Sequence, residues 1–124
     1  MAKGLEALLG ATTDLKEEIY IPRLKTHFTI KALDEDSIDR ARSQATTGKD
    51  GSVDGALFNR LLIAKSAADP DFNDKALKDH YEASDAADCV KKALLPGEQT
   101  RLIQSVLALS GFVEDAELVE DAKN

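Results

Sequence analysis

Leu94-Leu95-Pro96-Gly97-Glu98-Gln99 (LLPGEQ) divides what would otherwise be one long apolar helix. Proline excludes the residue before it from helical backbone angles, so a helix must stop at Leu95. Proline is also favoured as the first residue of a helix, where its missing N–H is not needed. Glu98 then falls in the first turn of the new helix, where the helix dipole favours an acid. The stretch therefore predicts a corner: one helix ends, another begins at once, and Leu94 and Leu95 anchor the bend. Leu94, Pro96 and Gly97 are assigned to that architecture.

Downstream of the corner, Leu102, Ile103, Val106, Leu107 and Leu109 define a helix with a broad apolar face. Gly111 is a natural stop, and Phe112 is placed to fold back on Leu107. Upstream, Ala86, Cys89, Val90 and Ala93 form the inward stripe of a helix capped by Ser84 and running to about Leu94. Lys75 to Tyr81 reads as a short helix. DPDFND (Asp69 to Asp74) reads as a loop, because Pro70 and its acids oppose helix. Ser52 is the expected cap of a helix to about Ala67, with Val53, Leu57, Leu61 and Ala64 in its stripe, widened by Phe58, Leu62 and Ile63. Asp36 is the expected cap of a helix to about Thr46, with Ile38, Ala41 and Ala45 inward. Gly48 and Gly51 bracket the turn between these two helices.

The N-terminal side differs in period. Phe28, Ile30 and Ala32 alternate with His27, Thr29 and Lys31, so His27 to Leu33 reads as a strand. Glu18 to Leu24 reads as its partner, at an edge or ending early because of Pro22. A turn at Arg23 to Thr26 would join them. Leu5, Leu8 and Leu9 fit one or two helical turns ending at Gly10. The fold class expected is mainly α (α+β): a helical domain over residues 1–113 with a small hairpin at about 18–33, followed by an acidic tail at 114–124.

Composition limits the function classes. The 124 residues suit one domain, and 43% apolar residues with six aromatics imply a core of aliphatic side chains. The net charge of −7, from 23 acids and 16 bases, disfavours nucleic acid as a partner. No apolar run reaches the roughly 18 residues of a membrane span. The single cysteine, Cys89, cannot form an internal disulfide, and reads as a buried small hydrophobe.

No reactive set is spaced for chemistry. Thr46 to Phe58 (TTGKDGSVDGALF) mimics a calcium loop if Gly51 is its sixth position, with Asp50 fifth and Asp54 ninth. However, Thr46, Gly48 and Leu57 then occupy the first, third and twelfth positions, where ligands are needed. Calcium takes about six to eight oxygens, so this cage is incomplete. Asp69, Asp71, Asn73 and Asp74 have similar spacing but no glycine at the turn and His80 at the last position. His27 and His80 match no zinc spacing. A DNA-reading pair of helices at 36–66 would present only Arg60 and Lys65 as bases on its second helix. No catalytic, metal or cofactor residues are assigned. The second possible class is a degenerate EF-hand-like or other small helical adaptor without metal.

Lys91 to Phe112 (KKALLPGEQTRLIQSVLALSGF) resembles the C-terminal signature of the XkdN-like phage tail assembly chaperone family. DGSVDGALFNRLLIAKS (Asp50 to Ser66) and DPDFNDKALKDHY (Asp69 to Tyr81) match its upstream order. The resemblance implies a non-enzymatic phage or prophage protein made in the cytoplasm of the bacterial host. It implies binding of the tape measure protein and recruitment of tail tube subunits. Apolar residues exceed what one-sided helices need, which fits docking or a homo-oligomer. The candidate docking residues are Phe58, Leu62, Leu95, Ile103 and Phe112.

Overall fold

The computed structural model describes residues 2–112. Its elements run α1 (Lys3–Gly10), β1 (Lys16–Ile21), β2 (Thr26–Lys31), α2 (Glu35–Ala45), α3 (Gly55–Ser66), β3 (Ala67–Asp69), α4 (Lys75–Tyr81), α5 (Ala86–Ala93) and α6 (Pro96–Leu109). The fold is α+β and mainly helical, with a small antiparallel sheet. The expected acidic tail lies outside the described residues.

β1 and β2 pair antiparallel, with Ile19 opposite Phe28 and Tyr20 opposite His27. The alternation in β2 sets its faces: Phe28 and Ile30 are buried, while His27 and Lys31 are exposed. The first strand is shifted from its expected span. It begins at Lys16 and ends at Ile21, because Pro22 opens a 3-10 turn over Pro22–Leu24. Lys25 closes that turn with φ of 52°, a left-handed conformation that a glycine would adopt at less cost. β2 likewise ends at Lys31 rather than Leu33. There the Leu33 N–H donates to Ser110 Oγ at 2.9 Å, tying the strand exit to the end of α6.

The sheet has a third strand that periodicity did not reveal. Ala67 pairs with Ile30 and Asp69 with Thr29, across a register shift. A strand of three residues is too short for an alternating pattern. It exists because β2 has a second edge to satisfy.

Three helix starts, those of α2, α3 and α5, depart from expectation in the same way: a different residue, an aspartate, is the cap. Asp34, not Asp36, accepts from the Ser37 N–H at 2.8 Å, leaving Glu35 and Asp36 in the favoured first turn. Asp54, not Ser52, accepts from Leu57 N–H at 3.1 Å. Ser52 is held back because its carbonyl accepts from the Thr47 N–H and Val53 bridges Thr46. Asp85, not Ser84, accepts from Asp88 N–H at 2.8 Å, while the Asp88 carboxylate accepts from the Ser84 N–H. Gly48 and Gly51 both take positive φ in the connection between α2 and α3.

α3 is the central helix, packed against α2, α5 and α6, and α6 also lies on β1 and β2. Leu62 and Ile63 of α3, Cys89 and Val90 of α5, and Leu102 and Val106 of α6 meet Ile21, Phe28 and Ile30 of the sheet in one core. Phe72, from the acidic loop, is 2% exposed and sets its ring edge-on to Phe28, with centroids 6.2 Å apart. Phe72 thus anchors the loop in the core, while its acids Asp69, Asp71 and Asp74 remain exposed.

Candidate partner-binding surface

The Leu94–Gln99 corner is the expected break: α5 ends at Ala93 and α6 begins at Pro96. What holds it is an ion pair that no local pattern announces. Arg23, on the turn between β1 and β2, donates through Nε to Glu98 Oε2 at 2.9 Å and through Nη2 to Glu98 Oε1 at 2.8 Å. The same Nη2 donates to the Ala93 carbonyl at 3.1 Å, satisfying an acceptor at the end of α5. Glu98 Oε1 also accepts from the Leu95 N–H at 2.8 Å. This is half of a capping box; the other half is missing because leucine carries no acceptor.

Glu98 is buried, so its charge requires this pairing. The guanidinium of Arg23 is the main reason its carboxyl lies below the ordinary range, with the Leu95 N–H adding to the effect and burial opposing it. Arg23 is correspondingly held above its ordinary value by Glu98. One bidentate pair thus ties hairpin, α5 and α6 together.

The docking candidates fall into two groups. Leu95 and Phe112 are 53% and 56% exposed, at opposite ends of α6. A helix of 14 residues separates them by about 20 Å. Leu62 is covered almost completely within the chain, whereas Ile103 keeps 9% of its surface, at the floor of a groove. Phe58 is half-buried, with the Arg42 guanidinium 5.5 Å from its ring centroid. Gly111 takes φ of 98°, and the Phe112 N–H donates to the Leu107 carbonyl at 2.8 Å. With the Gly111 N–H donating to the Ala108 carbonyl, this turn folds the backbone back at the expected stop of α6.

Further exposed leucines occur on α1, where Leu5, Leu8 and Leu9 cover no core. Two shallow grooves flank α3. One, of about 490 Å³, is lined by Leu57, Leu61, Ala64 and Ala86, with Lys65 and Asp85 balancing its charge. The other, of about 450 Å³, lies between α3 and the corner.

The calcium-like loop uses its carboxylates locally. Asp50 accepts from both the backbone and the hydroxyl of Ser52, and Asp54 caps α3. Among the described residues, no group of three or more His, Cys, Asp or Glu side chains is placed to hold a metal ion. Cys89 is fully buried, and burial pushes its thiol above the ordinary range. No helix among the described residues is long and apolar enough to cross a membrane.

The fold defines a small, mainly helical α+β domain with exposed apolar side chains at both ends of α6. A family model for XkdN-like phage tail assembly chaperone proteins matches residues 5–123. The chain belongs to that family. Among solved structures, the crystal structure of the protein yqbn superposes with a TM-score of 0.70 at 19% identity, covering 91% of this chain and 98% of that one. This likeness extends the fold alone. No curated protein matches the chain.

Proposed function

We propose that this chain binds the tape measure protein in the cytoplasm of the bacterial host, keeps it soluble, and recruits tail tube subunits during tail assembly. The role is non-catalytic. Membership of the tail assembly chaperone family supports the reading. The observation that carries it to particular residues is the exposure of Leu95 and Phe112 at the two ends of α6. Two apolar anchors about 20 Å apart on a rigid rod suit an extended helical partner, which repeats apolar side chains along its length. Phe58 is a further, partly covered contact. Leu62 and Ile103 support the surface from beneath.

The test is co-expression of the full chain with the tape measure and tail tube proteins of the same phage, followed by affinity capture. The wild-type chain retains the tape measure protein in the soluble fraction. Leu95→Glu combined with Phe112→Glu loses it while keeping the wild-type unfolding midpoint. A tape measure protein that is equally soluble and uncaptured with the wild-type chain removes the reading.

A further inference from the structure

The groove between α3 and the corner is opposite in charge to the chain as a whole, which carries a net −7. Its floor is apolar: Leu94 and Ile103 are buried beneath it, and Ala56 borders it. Arg60 of α3 and Lys91 of α5 line it together with Gln99. No carboxylate does, although the chain carries 23 acids against 16 bases. Neither Arg60 nor Lys91 is in an ion pair among the described residues. The neighbouring basic groups are committed: Arg23 to Glu98, and Lys92 to Asp88. The groove on the other side of α3 carries one base and one acid and has no such bias.

From this charge complementarity we infer that the α3–corner groove receives an amphipathic helical segment of a partner protein, with apolar side chains over Leu94 and Ile103 and carboxylates beside Arg60 and Lys91. The inference rests on the reading of the chain as a binder of tail proteins, and it specifies the chemistry of the bound segment. Leu95, in sequence between the lining residues Leu94 and Pro96, is itself exposed. Apolar contact with what remains exposed of this floor adds affinity; the two cations select the partner's sign and register.

Net charge makes the opposite forecast, which sharpens the test. A chain of net charge −7 should prefer a basic peptide if only overall charge matters. At physiological salt the Debye length is about 8 Å, so distant acids are screened and the groove's own cations dominate. Two fluorescein-labelled synthetic helices are compared by anisotropy against the full chain. Both have the same leucine stripe; one is flanked by glutamates and the other by lysines. The acidic helix is expected to bind at least about tenfold more tightly. In the double variant Arg60→Glu and Lys91→Glu the preference reverses. Arg60 and Lys91 line the surface, and an unchanged unfolding midpoint shows that the variant is folded.

Three results overturn the inference: preference for the basic helix by the wild-type chain, equal binding of both, or acidic-helix binding untouched by the double reversal. Sedimentation of the full chain adds a fourth. A dimer that the double reversal dissociates assigns the groove to a second copy instead. Tape measure capture is scored separately. If it persists while the helix preference fails, only the groove assignment is lost. If the helix preference holds while capture fails, the groove stands and the tail-assembly reading is lost.

Discussion

Arg23 and Glu98 are 75 positions apart in sequence, yet their side chains form a two-point ion pair at 2.8 and 2.9 Å. The pair joins the turn of the hairpin to the first turn of the last helix. Around it converge the Ala93 carbonyl and the Leu95 N–H, two of the backbone groups that the break between α5 and α6 leaves without helical partners. The corner is thereby held from both sides.

Glu98→Ala removes the acceptor for Arg23 and for Leu95 N–H, and is expected to cost about 1–3 kcal/mol in urea unfolding. The pH dependence has a fixed sign. The folded carboxyl titrates below its ordinary value near 4.5, so its contribution is present above that value. It is lost as pH falls from there through the lowered folded value. Glu98→Gln should flatten the stability curve in that acid window and leave its slope unchanged near neutrality. A slope identical to wild type below pH 4.5 would exclude Glu98 as a contributor.

Pro96→Ala should be milder. Alanine also fits the first helical position, and the Glu98 contacts that define the bend remain. The change is expected to lower stability by about 0.5–1 kcal/mol through the unfolded chain's added freedom, with helix content unchanged by circular dichroism. A loss larger than that of Glu98→Ala would make the proline, rather than the ion pair, the main support of the corner.

Phe72→Ala leaves a cavity against Phe28 in the core. Its cost is expected at about 3–5 kcal/mol, the range for buried aromatic truncation. Phe72→Leu should recover much of that loss. If both variants unfold at the wild-type midpoint, Phe72 does not anchor the acidic loop.

Asp34 and Asp36 separate a cap from a bystander. Asp34→Ala deletes the acceptor for Ser37 N–H and should lower the unfolding midpoint by several degrees. Asp36→Ala removes only a first-turn charge and should change it far less. Equal effects would mean that charge at the start of α2 matters and the cap does not.

Much of the architecture was legible because local rules and tertiary packing agree. Pro96 at a first helical position, the period of two in β2, and the stripe Leu102, Ile103, Val106 each point to what the chain does. The misses share a cause: they depend on partners distant in sequence. Ala67–Asp69 is a strand only because β2 offers it an edge. Glu98 looked like an ordinary first-turn acid, since nothing near it predicts Arg23. The cap errors are subtler. Serines and aspartates crowd the starts of α2, α3 and α5, and the winner depends on where extended backbone ends, as at Asp54 beyond the Thr46–Val53 bridge. Phe72 did carry a signal, for a lone aromatic in an acidic loop is more economically placed in a core than in water. Of the docking candidates, Leu62 and Ile103 were drawn from stripes wider than one face; neighbours on several sides absorb that width in a three-way helix contact.

Cys89 sits at the centre of this arrangement with no solvent-accessible surface, and it is the one thiol in the chain. The molecule thus carries an internal clock. A thiol reagent can reach that sulfur only when the packing around α5 opens, so the modification rate counts how often it does. The same rate, followed with tail proteins added, distinguishes a chaperone that holds its client while closed from one that must open to do so.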